Sequence, residues 1–156
     1  MAAKATIQDI TDAGFRQEQF GTPDERENDS WAEEGGYLDR LLVRASAWAI
    51  GRFGAGYVDV VAPSALFEHL RAAELCWVSA QLWNRRAGFI DSNAATSRDD
   101  MSYLNRREYE AQAERAMECA ESYICLALGD RSPGSAVVMT HVVTGPFVST
   151  RGARCG

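Results

Sequence analysis

The stretch that decides the fold is SALFEHLRAAELCWVSAQLWNRR, residues 64–86. Its apolar residues recur three or four positions apart, which is the spacing of one face of an α-helix. This face contains Leu66, Leu70, Ala73, Trp77, Ala80 and Trp83. It is widened by Phe67, Leu75, Val78 and Leu82. So broad an apolar face is expected to be buried against more than one neighbour. Pro63 or Ser64 is expected to begin the helix, since proline is favoured at the first helical position.

Two further amphipathic helices are predicted around this one. Residues 37–53, YLDRLLVRASAWAIGRF, have the same apolar spacing, and residues 103–128 have a stripe of mostly small residues that ends before Gly129, a natural C-cap. Small residues allow a partner helix to approach closely. The residues expected to be buried where the three helices meet are Leu41, Leu42, Leu70, Trp77, Ala116 and Ala120.

A short helix and an acidic stretch precede these elements. Thr6 is expected to cap a helix that contains Ile7 and Ile10 and stops at Gly14. Residues 16–36 are polar, acidic and interrupted by Gly and Pro, which predicts an exposed loop. Phe20 and Trp31 are candidate anchors for this loop. The stretch 18–34 has too few apolar residues to offset its ordering entropy, so it is expected to be mobile until a partner binds.

The C-terminal stretch GSAVVMTHVVTGPFVSTRGARCG, residues 134–156, differs from the rest because it is rich in β-branched residues. A strand cannot stand alone in water, so it must pair with another segment. One possibility is residues 56–61, GYVDVV, and the other is strand addition to a neighbouring chain. The residues expected at such an assembly interface are Val137, Val138, Met139, His141, Val142, Val143, Phe147, Val148, Arg151 and Arg154.

These patterns predict a mainly α fold, a small bundle of three main helices plus a short N-terminal helix. Residues 1–130 form the bundle, with the acidic loop at 16–36, and residues 131–156 form an extended, strand-like arm. The net charge of −6 argues against broad binding to nucleic acid or to an anionic membrane. No run approaches the roughly 18 apolar residues that a membrane span needs. The four cysteines form no CxxC pair and are expected to be reduced thiols.

No motif in the chain calls for catalysis, a metal or a cofactor. The glycines of GRFGAGY, residues 51–57, follow a helix, whereas a phosphate-binding loop precedes one. His69 lacks a second ligand one turn away, and the acidic residues of 103–128 are interleaved with arginines, as on an ion-paired solvent face. We therefore expect neither a catalytic residue nor a bound cofactor or metal.

The order of the helices gives a resemblance. A short first helix, an acidic loop, YLDRLLVRASAWAIGRF, LFEHLRAAELCWVSAQLWNRR and YEAQAERAMECAESYICLALG together resemble the head–tail adaptor (connector) proteins of tailed bacteriophages, over about residues 7–129. The resemblance implies a non-enzymatic virion protein, made in the host cytoplasm and located in the neck. It implies a homo-oligomeric ring, commonly of twelve subunits, between the portal protein and a neck or tail-completion protein, with no membrane and no sequence-specific nucleic acid as partners. Extended termini would reach neighbouring subunits.

Two alternatives stay open at this stage. The C-terminal arm is longer than a minimal adaptor requires, which leaves room for a tail-terminator, neck or other virion role. A protein of another class, a small cytosolic helical enzyme or ligand-binding domain, would need a pocket near His69, Trp77 and Trp83.

Overall fold

A computed structural model describes residues 3–20, 30–94 and 100–130 of the chain. This part is mainly helical and contains no β-strand, which confirms the predicted fold class. Its α-helices and two 3₁₀ helices are, in chain order, α1 (Ile7–Asp12), a 3₁₀ turn (Gln17–Phe20), α2 (Tyr37–Phe53), a second 3₁₀ turn (Ala55–Tyr57), α3 (Ala65–Ala94) and α4 (Asp100–Asp130). The three long helices pack together, and the predicted C-terminal arm lies outside the described residues.

Capping residues set the ends of α1 and α2 as the sequence predicts. The Thr6 hydroxyl accepts a hydrogen bond from the Asp9 amide at 3.3 Å, and the Asp9 carboxylate accepts one from the Thr6 amide at 2.8 Å. This reciprocal capping box satisfies two N–H groups that a helix start leaves unpaired. Gly54, with a φ of 92°, ends α2 in a backbone conformation that favours glycine. The glycine-rich stretch 51–57 is therefore a helix end and a turn, not a phosphate loop.

Helices α3 and α4 form an antiparallel pair that is longer than predicted. Ser64 caps α3 by accepting from the Phe67 amide at 3.1 Å, but the helix continues to Ala94, beyond the expected end at residue 86. Helix α4 begins at Asp100 and runs through Gly129 to Asp130, so the expected C-cap at Gly129 is wrong. Pairing of the two helices explains both extensions, since tertiary contacts override the weak local preference of a polar or glycine-containing segment.

A disulfide joins the two long helices, contrary to the expectation of reduced thiols. Cys76 of α3 and Cys119 of α4 are bonded, with their Cα atoms 6.0 Å apart. The antiparallel packing brings them together across 43 residues of sequence. The spacing of cysteines along the chain carries no trace of this pairing, because it depends on the relative register of two helices.

The core contains most of the residues expected there. Leu41, Leu42, Leu70 and Trp77 are buried, and so is Ala120, whereas Ala116 is only half-buried. The line of contact along α4 passes through Ala113, Ala120 and Ala127, one every seven residues, with Ile124 beside it. This spacing keeps one narrow seam against α3 and leaves Ala116 at its margin.

Aromatic side chains fix the entry to α2, as the sequence predicts for Phe20 and Trp31. Phe20 is buried and stacks on Trp31 with ring centroids 5.0 Å apart, and Trp31 stacks on Tyr37 at 5.5 Å. The Arg85 guanidinium lies 4.0 Å from the centroid of the Tyr37 ring. These contacts attach both ends of the acidic stretch to the bundle, while residues 21–29 lie outside the described part of the chain.

Candidate functional site

Glu74, in the middle of α3, is the most deeply buried polar side chain of the described residues. Its relative exposure is 0 %. One carboxylate oxygen accepts hydrogen bonds from the backbone amides of Lys4 and Ala5, at 2.7 and 2.8 Å. The other accepts one from the Tyr57 hydroxyl, which is also buried. A buried carboxyl is tolerated only when such partners replace water, and three donors do so here.

The Lys4 side chain adds two further contacts to this network. Its ammonium donates to the Val60 carbonyl at 2.7 Å and lies 4.3 Å from the centroid of the Tyr57 ring. A cation over an aromatic face is attracted by the ring electrons. Lys4 therefore joins the N-terminal segment to the turn between α2 and α3.

A second contact joins α1 to α3. The Arg71 guanidinium donates two hydrogen bonds to the Asp9 carboxylate, at 3.1 and 2.5 Å, and a third to Glu68 at 3.3 Å. The two-pronged geometry suits the planar guanidinium and holds α1 in one orientation. Asp9 thus serves both as a partner in the capping box and as the anchor of α1.

The surroundings of Glu74 and Asp9 shift the pKa values of their carboxyl groups in opposite directions. Burial raises the pKa of Glu74, against the lowering effect of its hydrogen bonds from Tyr57, Ala5 and Lys4. The hydrogen bonds from Arg71 lower the pKa of Asp9. Burial and the neighbouring Glu74 raise the pKa of the Tyr57 hydroxyl, so Tyr57 stays protonated and remains a donor.

This network shapes a cleft at one end of the bundle, which we call the turn cleft. It lies between the N-terminal segment and residues 57–67, and its volume is about 350 Å³. Its lining includes Lys4, Tyr57, Val58, Val60, Val61 and Phe67. Val58 and Val61 are 57 % and 70 % exposed. The volume is near the lower end of the roughly 300–1,000 Å³ that is typical of ligand pockets.

A second cavity, of about 340 Å³, is a shallow groove between α3 and α4. Asn84, Ala113, Glu114, Met117 and Glu118 line it. Two carboxylates, an amide and a methionine thus face this groove, and these lining residues include neither of the residue pairs Ser–His and Cys–His that are typical of nucleophilic catalysis.

The structure does not bring His69, Trp77 and Trp83 together. His69 faces Tyr123 with ring centroids 6.2 Å apart, Trp77 stacks on Trp48 at 6.4 Å in the core, and Trp83 packs on Tyr109 at 5.5 Å. His69 and Trp83 are about 21 Å apart along the axis of α3, at the usual rise per residue. None of the three lines either cavity described above.

Within residues 3–20, 30–94 and 100–130, no three His, Cys, Asp or Glu side chains are grouped as a metal site would require. The helices of that part also lack a segment of the length and hydropathy of a membrane span.

All the residues expected at the assembly interface, from Val137 to Arg154, lie outside the described residues. Their other proposed partner, residues 56–61, contains the end of a 3₁₀ helix and a turn, so the expectation of a strand there is wrong. The sequence patterns did not identify Glu74, Val58 and Val61 as parts of a site. Glu74 could have been identified, because it is an acidic residue one turn from both Leu70 and Val78 on the apolar face of α3.

Comparison of the chain with protein-family models, with curated proteins and with solved structures found no match.

Proposed function

We propose that this chain is a non-enzymatic structural subunit of a tailed bacteriophage, a head–tail adaptor that forms a ring between the portal and the next component of the neck or tail. The order of its helices, which resembles that family, is the starting point. The ring, commonly of twelve subunits in that family, would be held together in part by the C-terminal segment of each chain.

One observation supports this proposal above the others. The described residues enclose a core whose buried polar side chains have hydrogen-bond partners, and the chain continues past Asp130 with a β-branched segment. The described residues offer that segment no strand to pair with. A packed bundle followed by a strand-like extension is suited to strand addition between copies.

Repetition around a ring would make weak arms effective. One net hydrogen bond contributes only about 1 kcal/mol, so a single arm binds weakly. In a closed ring every subunit gives one arm and receives one, so both of its contacts must break before a subunit is released.

The direct test is the size and shape of the purified protein. We expect size-exclusion chromatography with light scattering to show a large closed oligomer, alone or on addition of the portal ring, and electron microscopy to show a ring. A compact monomer that never assembles, even with portal protein, would refute the proposal.

Truncation after Gly134 separates folding from assembly. This variant keeps all of α4, so its helical circular dichroism is expected to match that of the full chain, while the ring is lost. An unfolded truncated protein would mean that the tail belongs to the subunit core, and normal assembly would exclude a role for the tail.

A further inference from the structure

We propose that the turn cleft of one subunit binds the segment 136–150 of a neighbouring copy of the chain. The inference rests on the proposed ring and adds to it the surface that receives the arm. The exposed valines Val58 and Val61 would be covered by the apolar side chains of the incoming segment.

The position of the end of α4 is the first argument. Ile124 and Ala127, in the last turns of α4, belong to the same core cluster as Tyr57, whose ring also lines the turn cleft. The chain therefore leaves the bundle at the end where the cleft lies. In a cyclic ring, equivalent points of all subunits lie at the same height along the axis. The tail of one subunit thus starts level with the turn cleft of the next.

Length is the second argument. Helices α3 and α4, of 30 and 31 residues, are about 45 Å long, and residues 136–150 would span about 50 Å when extended. A segment of this length is as long as the bundle itself. It is therefore long enough to reach the adjacent subunit of a ring and to place part of its length in the turn cleft there.

The chemistry of the cleft is the third argument. Within the described residues, the backbone N–H groups of Val61 and Ala62 donate to no acceptor, and Pro63 has no N–H group. An extended segment can pair with such free amides while alternate side chains enter the apolar cleft. Asp59 is exposed and lies in sequence between Val58 and Val60, which line the cleft, so its carboxylate is a candidate partner for Arg151 or Arg154, which follow the segment.

Photo-crosslinking on the full chain tests this contact. Benzoylphenylalanine is placed at position 61 in one preparation and at position 43 in a control. Val43 is a matched control because it is 54 % exposed and lies in the first half of α2, away from the cleft. Rings are assembled from equal amounts of ¹⁴N- and ¹⁵N-labelled chain, irradiated and digested for mass spectrometry.

We expect cross-links from position 61 to residues 136–150 that join peptides of different isotope labels, at least fivefold more abundant than those from position 43. Cross-links only between peptides of the same label would place each tail in its own cleft and overturn the inference. Cross-links to another segment, or none from position 61, would also overturn it. If rings form without the expected cross-links, the proposed function stands and only this inference fails.

A pair of substitutions gives an independent measurement. Val61→Asp places a charge in the cleft and is expected to raise the concentration at which rings dissociate at least tenfold, whereas Val43→Asp changes it less than twofold. Circular dichroism confirms that both variants fold. Equal effects of the two substitutions, or none, would contradict the proposed contact.

Discussion

The buried carboxylate of Glu74 accepts hydrogen bonds from three donors that lie in two distant parts of the chain. Removing its carboxylate leaves the part-buried amide of Lys4, the buried amide of Ala5 and the buried hydroxyl of Tyr57 without this acceptor. An unsatisfied buried polar group costs far more than an average hydrogen bond contributes. Glu74 therefore fixes the N-terminal segment and the turn cleft together.

We expect Glu74→Ala to lower the free energy of unfolding by about 3 kcal/mol and Tyr57→Phe by about 1 kcal/mol. Urea denaturation followed by circular dichroism measures both. Glu114→Ala is the matched control, because Glu114 is exposed on α4, and its effect should stay within about 0.5 kcal/mol. A Glu74→Ala protein as stable as the control would show that the network contributes little.

The two perturbed carboxyl groups predict opposite pH dependences. The pKa of Glu74 in the folded protein is raised above its ordinary value of 4.5. Its contribution to the stability of the folded state is therefore full below that value and is lost as the pH rises through the folded pKa. The stability of the wild type relative to Glu74→Gln, which keeps a neutral side chain of the same size, should therefore fall as the pH rises above about 4.5.

Asp9 predicts the opposite pH dependence of stability, so it serves as an internal comparison. Its folded pKa is below the ordinary value of 3.8, so its contribution is present above that value and is lost as the pH falls through the folded pKa. The stability of the wild type relative to Asp9→Asn should therefore fall as the solution is acidified. Denaturation midpoints between pH 3 and 8 that show the same trend for both pairs would contradict the assignment.

At the scale of elements, close approach of α3 and α4 depends on small residues. Ala113, Ala120 and Ala127 form the buried seam of α4, and Ala120 is fully buried. A larger side chain there has no space and must displace α3. The packing of these two helices is therefore more sensitive to added volume than to changes in helix propensity.

We expect Ala120→Leu to destabilise the protein by about 2 kcal/mol through overpacking. Ala47→Leu, on the exposed side of α2, is the control and should be nearly neutral, because both residues are strong helix formers. Thermal and urea unfolding measure the difference. Tolerance of leucine at position 120 would mean that α3 and α4 are less closely packed than described.

At the scale of the whole molecule, charge is unevenly distributed along the chain. The stretch from Glu18 to Glu34 concentrates acidic residues between and beside two aromatic anchors, Phe20 and Trp31. An acidic segment presented in this way is complementary to a basic surface on a partner.

We expect binding of the assembled protein to the portal ring to weaken as salt rises, because the Debye length shrinks from about 30 Å at 0.01 M to about 10 Å at 0.1 M. Replacing Glu33 and Glu34 by Gln should reduce this salt dependence, whereas the same change at Glu114 and Glu118 on α4 should not. Affinity that is independent of salt would exclude the acidic stretch as a binding segment.

By itself, the sequence determined the local structure. The apolar spacing predicted α2 with its observed bounds, Thr6 and the glycines of residues 51–57 marked helix ends, and Phe20 and Trp31 were identified as anchors. These features depend on residues within one or two turns of one another. Hydrophobic period, capping side chains and the conformational freedom of glycine act over that range, so they can be read along the chain.

Only the tertiary structure decided the contacts between distant segments. Glu74 meets Ala5 across 69 residues, Arg71 meets Asp9 across 62, and Cys76 bonds to Cys119 across 43. The extension of α3 to Ala94 and the half-exposure of Ala116 likewise follow from the register of α3 on α4. That register results from packing many side chains at once, and no local pattern encodes it. The turn cleft exists for the same reason, because its walls are segments that only the folded bundle brings together.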